Sequence, residues 1–174
     1  MESKVITISD DTQIKSVQSE KSPLHRVVIT NEKWELQDDD YIAENQCIIF
    51  TEGSNKNDAY KKMKKEVQRK ISSYKSQDKS KNLYDPDNFV DFTSVRDLLL
   101  KDGFKCYYCN ELVKLLYKFV RESKQWSLER IDNNFGHNKD NVTIACLNCN
   151  LKRRTMYHER FLFTKQLNIV KTDI

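Results

Sequence analysis

The sequence predicts an α+β fold, and three observations support that class. Apolar residues recur at spacings of three and four across residues 58–80, as one face of a helix requires. Two short segments, residues 126–129 and 141–145, alternate apolar and polar side chains, as half-buried strands do. Cysteines occur as two Cys-x-x-Cys pairs, one before the first of these segments and one directly after the second. We therefore expect a small sheet held by the cysteines and accompanied by helices.

The composition favours one folded core in a soluble protein. The chain has 174 residues, of which 38% are hydrophobic, and this is enough for one core of ordinary domain size. It carries 32% charged residues, and no apolar run is long enough to cross a bilayer, so we expect no membrane partner. The N-terminus lacks the pattern of a secretion signal. We therefore expect an intracellular protein.

The charge is distributed unevenly along the chain. The net charge is +4, but residues 1–57 are net acidic, which leaves the remaining two thirds more basic than the total suggests. A basic body favours a polyanionic partner, although a solvated charged surface would give the same balance. Charge alone therefore does not choose a function class.

The N-terminal part of the chain is predicted to be a flexible tail followed by a small α/β extension. Residues 1–22 are polar and without periodicity, which is typical of a tail. Residues 23–87 form the extension, whose helix over Asp58–Ser80 carries a lysine-rich outer face. We interpret that face as an ordinary solvated surface rather than a dedicated nucleic-acid contact. Short apolar groups predict two or three strands before this helix, at Val27–Ile29, Trp34, Ile42 and Cys47–Phe50.

A turn at Pro86 separates the extension from a second domain over residues 88–174. Proline restricts the residue before it and cannot continue a helix. Thr93 or Ser94 is then expected to cap a short helix, and Gly103 is placed to close it in a left-handed conformation.

Four of the five cysteines predict a structural zinc site. Two Cys-x-x-Cys pairs separated by a few dozen residues are typical of one tetrahedral site in an intracellular chain, whereas disulfides or redox pairs require a different setting. Four thiolates close the coordination sphere, so this zinc would hold the fold and leave any chemistry to other groups. Cys47 stands apart and is interpreted as a small core residue. The predicted zinc ligands are Cys106, Cys109, Cys146 and Cys149.

The order of elements around the second pair is strand, long loop, strand and helix. If the strands pair, Glu129 at the end of the first lies near Asn150 in the first turn of the helix. A carboxylate and an amide oxygen make a sparse oxygen site, which suits Mg²⁺ or Mn²⁺ that completes its shell with water and phosphate. A basic run follows the helix start and is expected to bind flanking phosphates, namely Lys152, Arg153 and Arg154.

Taken together, these motifs resemble a known nuclease family. The series CYYC, SLERIDN, GHNKDNV and ACLNCN with a basic tail is similar to the HNH endonucleases, also called ββα-metal or His-Me finger nucleases. It is closest to their four-cysteine, zinc-bound branch, which includes phage endonuclease VII-like enzymes and homing-type nucleases of phages and large DNA viruses. The resemblance covers about residues 104–154 and implies a zinc-stabilised ββα-metal finger, encoded by a virus or a mobile element.

The resemblance also implies roles for individual residues. Glu129 corresponds to the metal-binding carboxylate at the end of the first strand, and Asn150 to the second metal ligand. Asn141 corresponds to the asparagine that braces the loop. The position of the general-base histidine is occupied by Arg130, which is a departure from the family pattern.

This departure leaves the general base to another residue. Arginine stays protonated, so Arg130 could at most clamp a phosphate. His137, in the loop between the strands, has a suitable ordinary pKa and is the first substitute, although a loop histidine bonded to backbone is an equal alternative. Asp132 is the second substitute, as a base or a further metal ligand.

The sequence therefore predicts a metal-dependent endonuclease that hydrolyses phosphodiester bonds of duplex or branched DNA. The substitution at Arg130 keeps open a catalytically degenerate, zinc-stabilised nucleic-acid-binding module. A zinc module that binds proteins is the third class.

Overall fold

The computed structural model describes Trp34, residues 36–119 and residues 121–167, apart from the side chain of Gln166. It is a mixed α+β structure, as predicted, with one two-stranded antiparallel sheet. The predicted tail and the strand at Val27–Ile29 lie outside the described residues. Within them, no helix is long and apolar enough to span a membrane. A short 3₁₀ helix covers Asp38–Tyr41, and the other elements are α1 (Ala43–Glu52), α2 (Asp58–Ser80), α3 (Phe92–Lys101), β1 (Trp126–Arg130), β2 (Val142–Cys146), α4 (Leu147–Arg153) and α5 (His158–Gln166).

Helix α1 corrects the prediction of a strand at Cys47–Phe50. The run of β-branched residues there favours a strand locally, but buried contacts select the helix. Gln46 is fully buried in α1, where its amide oxygen accepts from the backbone N–H groups of Leu115 (2.7 Å) and Leu116 (3.0 Å). Gly53, with φ of +65°, ends the helix in the left-handed conformation that glycine adopts readily.

Helix α2 confirms the predicted amphipathic helix. Asn57 caps it by accepting a bond from the backbone N–H of Tyr60 at 3.2 Å. Its apolar stripe, which includes Met63 and Val67, is buried in the common core. The same core contains Phe50 and residues of both strands, so the extension and the cysteine-bearing part share one hydrophobic interior.

Helix α3 starts earlier than predicted. Its N-cap is Asp91, whose carboxylate accepts from the backbone N–H of Ser94 at 2.8 Å, while the Ser94 hydroxyl accepts from the Asp91 N–H at 2.9 Å. Neither Thr93 nor Ser94 is the cap, because this reciprocal pair moves the helix start upstream. Gly103 has φ of +58° beyond the helix end, which confirms its predicted conformation.

Strands β1 and β2 pair antiparallel in the predicted order. The register places Trp126 opposite Cys146 and Arg130 opposite Val142. Because side chains alternate along a strand, Ser127 and Glu129 share one face of β1. Helix α4 begins directly after β2 and ends at Arg153, and its C-cap residue Arg154 has φ of +53°.

The outer edge of β1 is covered by side chains of α2. Lys70, Tyr74 and Asp78 are spaced four residues apart and therefore lie on one stripe of the helix. The Lys70 ammonium donates to the carbonyl of Trp126, and the Tyr74 hydroxyl accepts from the N–H of Leu128 at 3.1 Å. Asp78 accepts a hydrogen bond from the backbone N–H of His137, in the loop that follows β1. Side chains of α2 therefore cover the edge of β1 at which a third strand could pair.

Candidate metal centre

The two Cys-x-x-Cys pairs form turns on the sheet. In the first, the Cys106 carbonyl accepts from the N–H of Asn110 at 2.8 Å, and Asn110 has φ of +56°. The N–H of Tyr107 donates to the carbonyl of Ile144 at 2.8 Å, which ties this turn to β2. In the second, Cys146 caps α4, and its sulfur accepts from the N–H of Cys149 at 3.4 Å.

The four sulfur atoms converge on one point. Sγ atoms of Cys106, Cys109, Cys146 and Cys149 all lie within 4.8 Å of one another. The Cys109 and Cys146 sulfurs are 3.9 Å apart, close to the edge of a tetrahedron with Zn–S bonds of about 2.3 Å, which is about 3.8 Å. The cluster could therefore hold a structural metal such as zinc. Cys47 is half-buried and does not belong to it.

The pKa shifts of Cys106, Cys146 and Cys149 favour a bound cation. The hydrogen bond with Cys146 lowers the pKa of Cys106 to about 4, and the same bond raises the pKa of Cys146. Burial, followed by the charge of the Cys106 thiolate, raises the pKa of Cys149 to about 12. One thiolate thus opposes the ionisation of the next, and a divalent ion supplies the positive charge that lets all of them ionise.

Glu129 is buried on the face of β1 that meets α4. It is 5% exposed, and its Oε1 accepts from Nη1 of Arg153. The second carboxylate oxygen, Oε2, is buried and has no hydrogen-bond partner among the described residues. Burial raises the pKa of the Glu129 carboxyl, while the bonds and charge of Arg153 act in the opposite direction.

Arg153 clamps the end of β1 to α4. Besides Glu129, its guanidinium donates to the carbonyls of Arg130 (2.6 Å) and Ile131 (2.8 Å). The residue is only 2% exposed. Arg153 is therefore not available as the predicted phosphate contact in this structure, because the residue is buried and its Nη1 and Nη2 groups donate inside the protein, while Nε has no partner among the described residues. Its neighbours Lys152 and Arg154 are exposed, as that interpretation requires.

Asn150 lies on the same side of β1 as Glu129. Its side-chain N–H₂ donates to the hydroxyl of Ser127 at 3.1 Å and to the carbonyl of Leu128 at 3.4 Å. Its amide oxygen is the remaining acceptor on that side chain. A carboxylate oxygen and an amide oxygen are ligands that Mg²⁺ or Mn²⁺ accepts, so Glu129 and Asn150 match such an ion in donor type.

Asn141 ties the two ends of the loop between the strands. Its Oδ1 accepts from the N–H of Asp132 at 2.9 Å, and its Nδ2 donates to the carbonyls of Asp132 (2.9 Å) and Gly136 (3.0 Å). The side chain is buried, and these three bonds satisfy it. Asn141, directly before β2, therefore braces the loop.

His137 is held by α2 and not by the groups around Glu129. It is 5% exposed; its Nδ1 lies 2.8 Å from Oδ1 of Asp78, and its backbone N–H donates to the other Asp78 oxygen at 2.6 Å. Its ring packs on that of Tyr74 with centroids 4.4 Å apart. Burial lowers the pKa of His137, and the bond and charge of Asp78 oppose that effect. A Cβ on Gly136 would lie 2.3 Å from the Leu83 carbonyl oxygen, so only glycine fits before this histidine.

Arg130 and Asp132 shape the same loop. Arg130 donates from Nη1 to the carbonyls of Phe135 (3.1 Å) and Asn133 (3.3 Å). Asp132 is exposed, and its carboxylate accepts from the N–H of Asn134 at 2.9 Å. Both side chains therefore contact the backbone of their own loop.

Sequence reasoning missed Asp78 and the internal role of Arg153. Asp78 continues the apolar stripe of Val67, Ile71 and Tyr74 at helical spacing, and a carboxylate on an apolar stripe is a signal for a buried partner. No comparable signal marks Arg153, which sits between two exposed basic residues. Comparisons with protein-family models, curated proteins and solved structures give no match to this chain.

Proposed function

We propose that this protein is a metal-dependent endonuclease of the HNH type, which hydrolyses phosphodiester bonds of DNA on a zinc-stabilised ββα-metal unit. The observation that carries the proposal is the buried, unpartnered Oε2 of Glu129. It lies at the end of β1, on the side of Asn150, in a hairpin and helix held by four cysteines. A buried carboxylate oxygen without a hydrogen-bond donor is a candidate ligand for a cation.

In this proposal the chain's own residues prepare the site. Arg153 holds one oxygen of Glu129 and so fixes the direction of the other, and burial keeps bulk water from the carboxylate. Asn141 keeps the loop in one conformation. A bound Mg²⁺ or Mn²⁺ would supply Lewis-acid stabilisation of the charge that develops on the phosphate.

His137 is the proposed general base. A carboxylate on Nδ1 fixes the tautomer with its proton at that nitrogen, which leaves Nε2 as the acceptor. Because burial lowers the pKa of His137, the imidazole is neutral near pH 7, as a base must be. Asp132, which is exposed in the same loop, is the second candidate. In this scheme Arg130 is left to contact a phosphate.

The test is the conversion of supercoiled plasmid to nicked circles. Purified protein is incubated with Mg²⁺ or Mn²⁺, with and without chelator, beside Glu129→Gln, which keeps the shape of the side chain but removes its charge. The exposed Glu159→Gln is the matched control. We expect metal-dependent nicking that Glu129→Gln loses and Glu159→Gln keeps, with zinc content and circular dichroism showing that both variants are folded at the assay temperature, although Glu129→Gln leaves the Arg153 charge unpaired. Intact plasmid with the wild-type protein under every metal would refute the proposal.

The second candidate is a nucleic-acid-binding module without catalysis. The ion pair between Glu129 and Arg153 favours it, because the guanidinium already neutralises the carboxylate that would bind the cation. Arg130 at the position of the family's base favours it as well. Salt-sensitive DNA binding without cleavage is the expected behaviour of such a module, whereas a protein-binding zinc module would show neither property.

A further inference from the structure

The segment of residues 151–157, which comprises the end of α4 and the connection to α5, has both apolar and basic side chains exposed on the surface. Tyr157 is 82% exposed and Leu151 is 59% exposed, and Met156 is also exposed. Lys152 and Arg154 alternate with them and are exposed too. Large apolar side chains of this kind are common singly on a surface, but three of them within seven residues, with cations between them in the sequence, make this segment a candidate binding surface.

The 151–157 segment is firmly anchored from inside. Arg153 at its centre is buried and donates to Glu129 and to two carbonyls at the end of β1. The N–H of Met156 donates to the Arg153 carbonyl at 3.0 Å, and the Tyr157 carbonyl accepts from the N–H of Phe161 at 3.0 Å. The exposed side chains therefore project from a fixed support, which lowers the entropy lost when they bind a partner.

The charge of this region selects a polyanion. Residues 150–167 contain five basic residues and one acidic residue, Glu159. Four of the five cations, all except Arg153, are exposed. A protein partner would have to place acids against these cations, whereas a nucleic acid supplies a negative charge at every phosphate.

We propose that the 151–157 segment binds a DNA strand with unstacked bases, and this inference rests on the proposed function. The ring of Tyr157 stacks on the face of a base, while Lys152 and Arg154 contact the adjacent phosphates. In an uninterrupted duplex both faces of each base are already covered by neighbouring pairs, so an exposed ring has no base face to contact. The substrate class is therefore single-stranded, flapped or branched DNA, held next to Glu129 through the buried Arg153.

The test compares DNA affinities of the full-length zinc-loaded protein without added divalent metal. The probes are a labelled oligothymidylate strand, a blunt duplex of the same length and a fork made from both. We expect the wild-type protein to prefer the single strand and the fork. Tyr157→Ala should weaken binding to these two probes by roughly 5- to 150-fold, the loss that one stacked base represents, and leave duplex binding unchanged. Tyr157→Phe keeps the ring and should retain wild-type affinity.

Because Tyr157 is largely exposed, zinc content and thermal unfolding should be the same in all three proteins. Equal loss of affinity for duplex and single strand, or no loss at all, would overturn the inference. So would a self-association that Tyr157→Ala abolishes without a change in DNA binding, since the patch would then contact a second copy. If one of these results is obtained while plasmid nicking persists, the proposed function stands and only the inference about the 151–157 segment fails. If the protein neither binds DNA nor nicks plasmid, both proposals fail.

Discussion

Replacement of Arg153 by methionine should strongly destabilise the protein, because the ion pair with Glu129 is buried on both sides. The two side chains are 2% and 5% exposed, and methionine fills similar space without a charge. Removing one partner of a buried pair leaves the other charge unpaired, at a cost of about 3–5 kcal/mol. Single domains have a total stability of about 5–15 kcal/mol, so Arg153→Met should lose a large share of it.

The assay is urea unfolding followed by circular dichroism at saturating zinc. The double variant Glu129→Gln/Arg153→Met also removes the unpaired charge of Glu129, so it should recover part of the lost free energy of unfolding. The exposed Arg154→Met is the control, expected within about 0.5 kcal/mol of wild type. Burial raises the pKa of Glu129, so protonation favours the folded state, and the defect of Arg153→Met should shrink as the pH is lowered. A defect below about 1 kcal/mol, or a double variant no more stable than the single one, would refute the reasoning.

Three further predictions concern the loop and the zinc cluster. Gly136→Ala should destabilise the fold by about 1–3 kcal/mol in urea unfolding, because its Cβ would collide with the Leu83 carbonyl; a wild-type midpoint would contradict this. Burial lowers the pKa of His137 in the folded state below the ordinary value of about 6.5. The neutral imidazole therefore stabilises the fold fully above about pH 6.5, and this stabilisation is lost as the pH falls from there through the folded-state pKa. Urea midpoints measured against pH should show this loss in wild type and not in His137→Gln, and equal slopes would contradict it. Cys149→Ser should lose bound zinc and unfold the C-terminal half, as metal analysis and circular dichroism would show; native helix content without zinc would count against it.

The sequence predicts best those features that depend on local spacing. The four cysteines could be grouped because the Cys-x-x-Cys interval reflects the geometry of one metal. The helix α2 and the two strands could be located because period alone distinguishes a helix from a strand, but the expectation of half-buried strands is wrong, since β1 and β2 are buried on both faces. The contact of Asn150 with β1, through Ser127 and Leu128, followed from the order of strand, loop, strand and helix.

Features that depend on distant partners could not be predicted in this way. The residues Cys47–Phe50 have strand propensity, yet α1 forms because Gln46 bonds to backbone groups about 70 positions away. Arg153 is similar in sequence to Lys152 and Arg154, and only the burial of Glu129 makes it an internal clamp. Local composition predicted neither the helix α1 nor the internal role of Arg153, because both arise from packing between elements.

The stripe of α2 over the outer edge of β1 also bears on how the protein avoids aggregation. An open strand edge offers unpaired N–H and C=O groups to the strands of other molecules. Here a lysine and a tyrosine side chain bond to the edge groups of Trp126 and Leu128, so the β1 edge of the sheet does not offer these groups to another strand. A fragment that retains the cysteines but lacks α2 would expose this edge. We therefore expect proteolytic or engineered removal of the extension to give a precipitating product, even when zinc is fully bound.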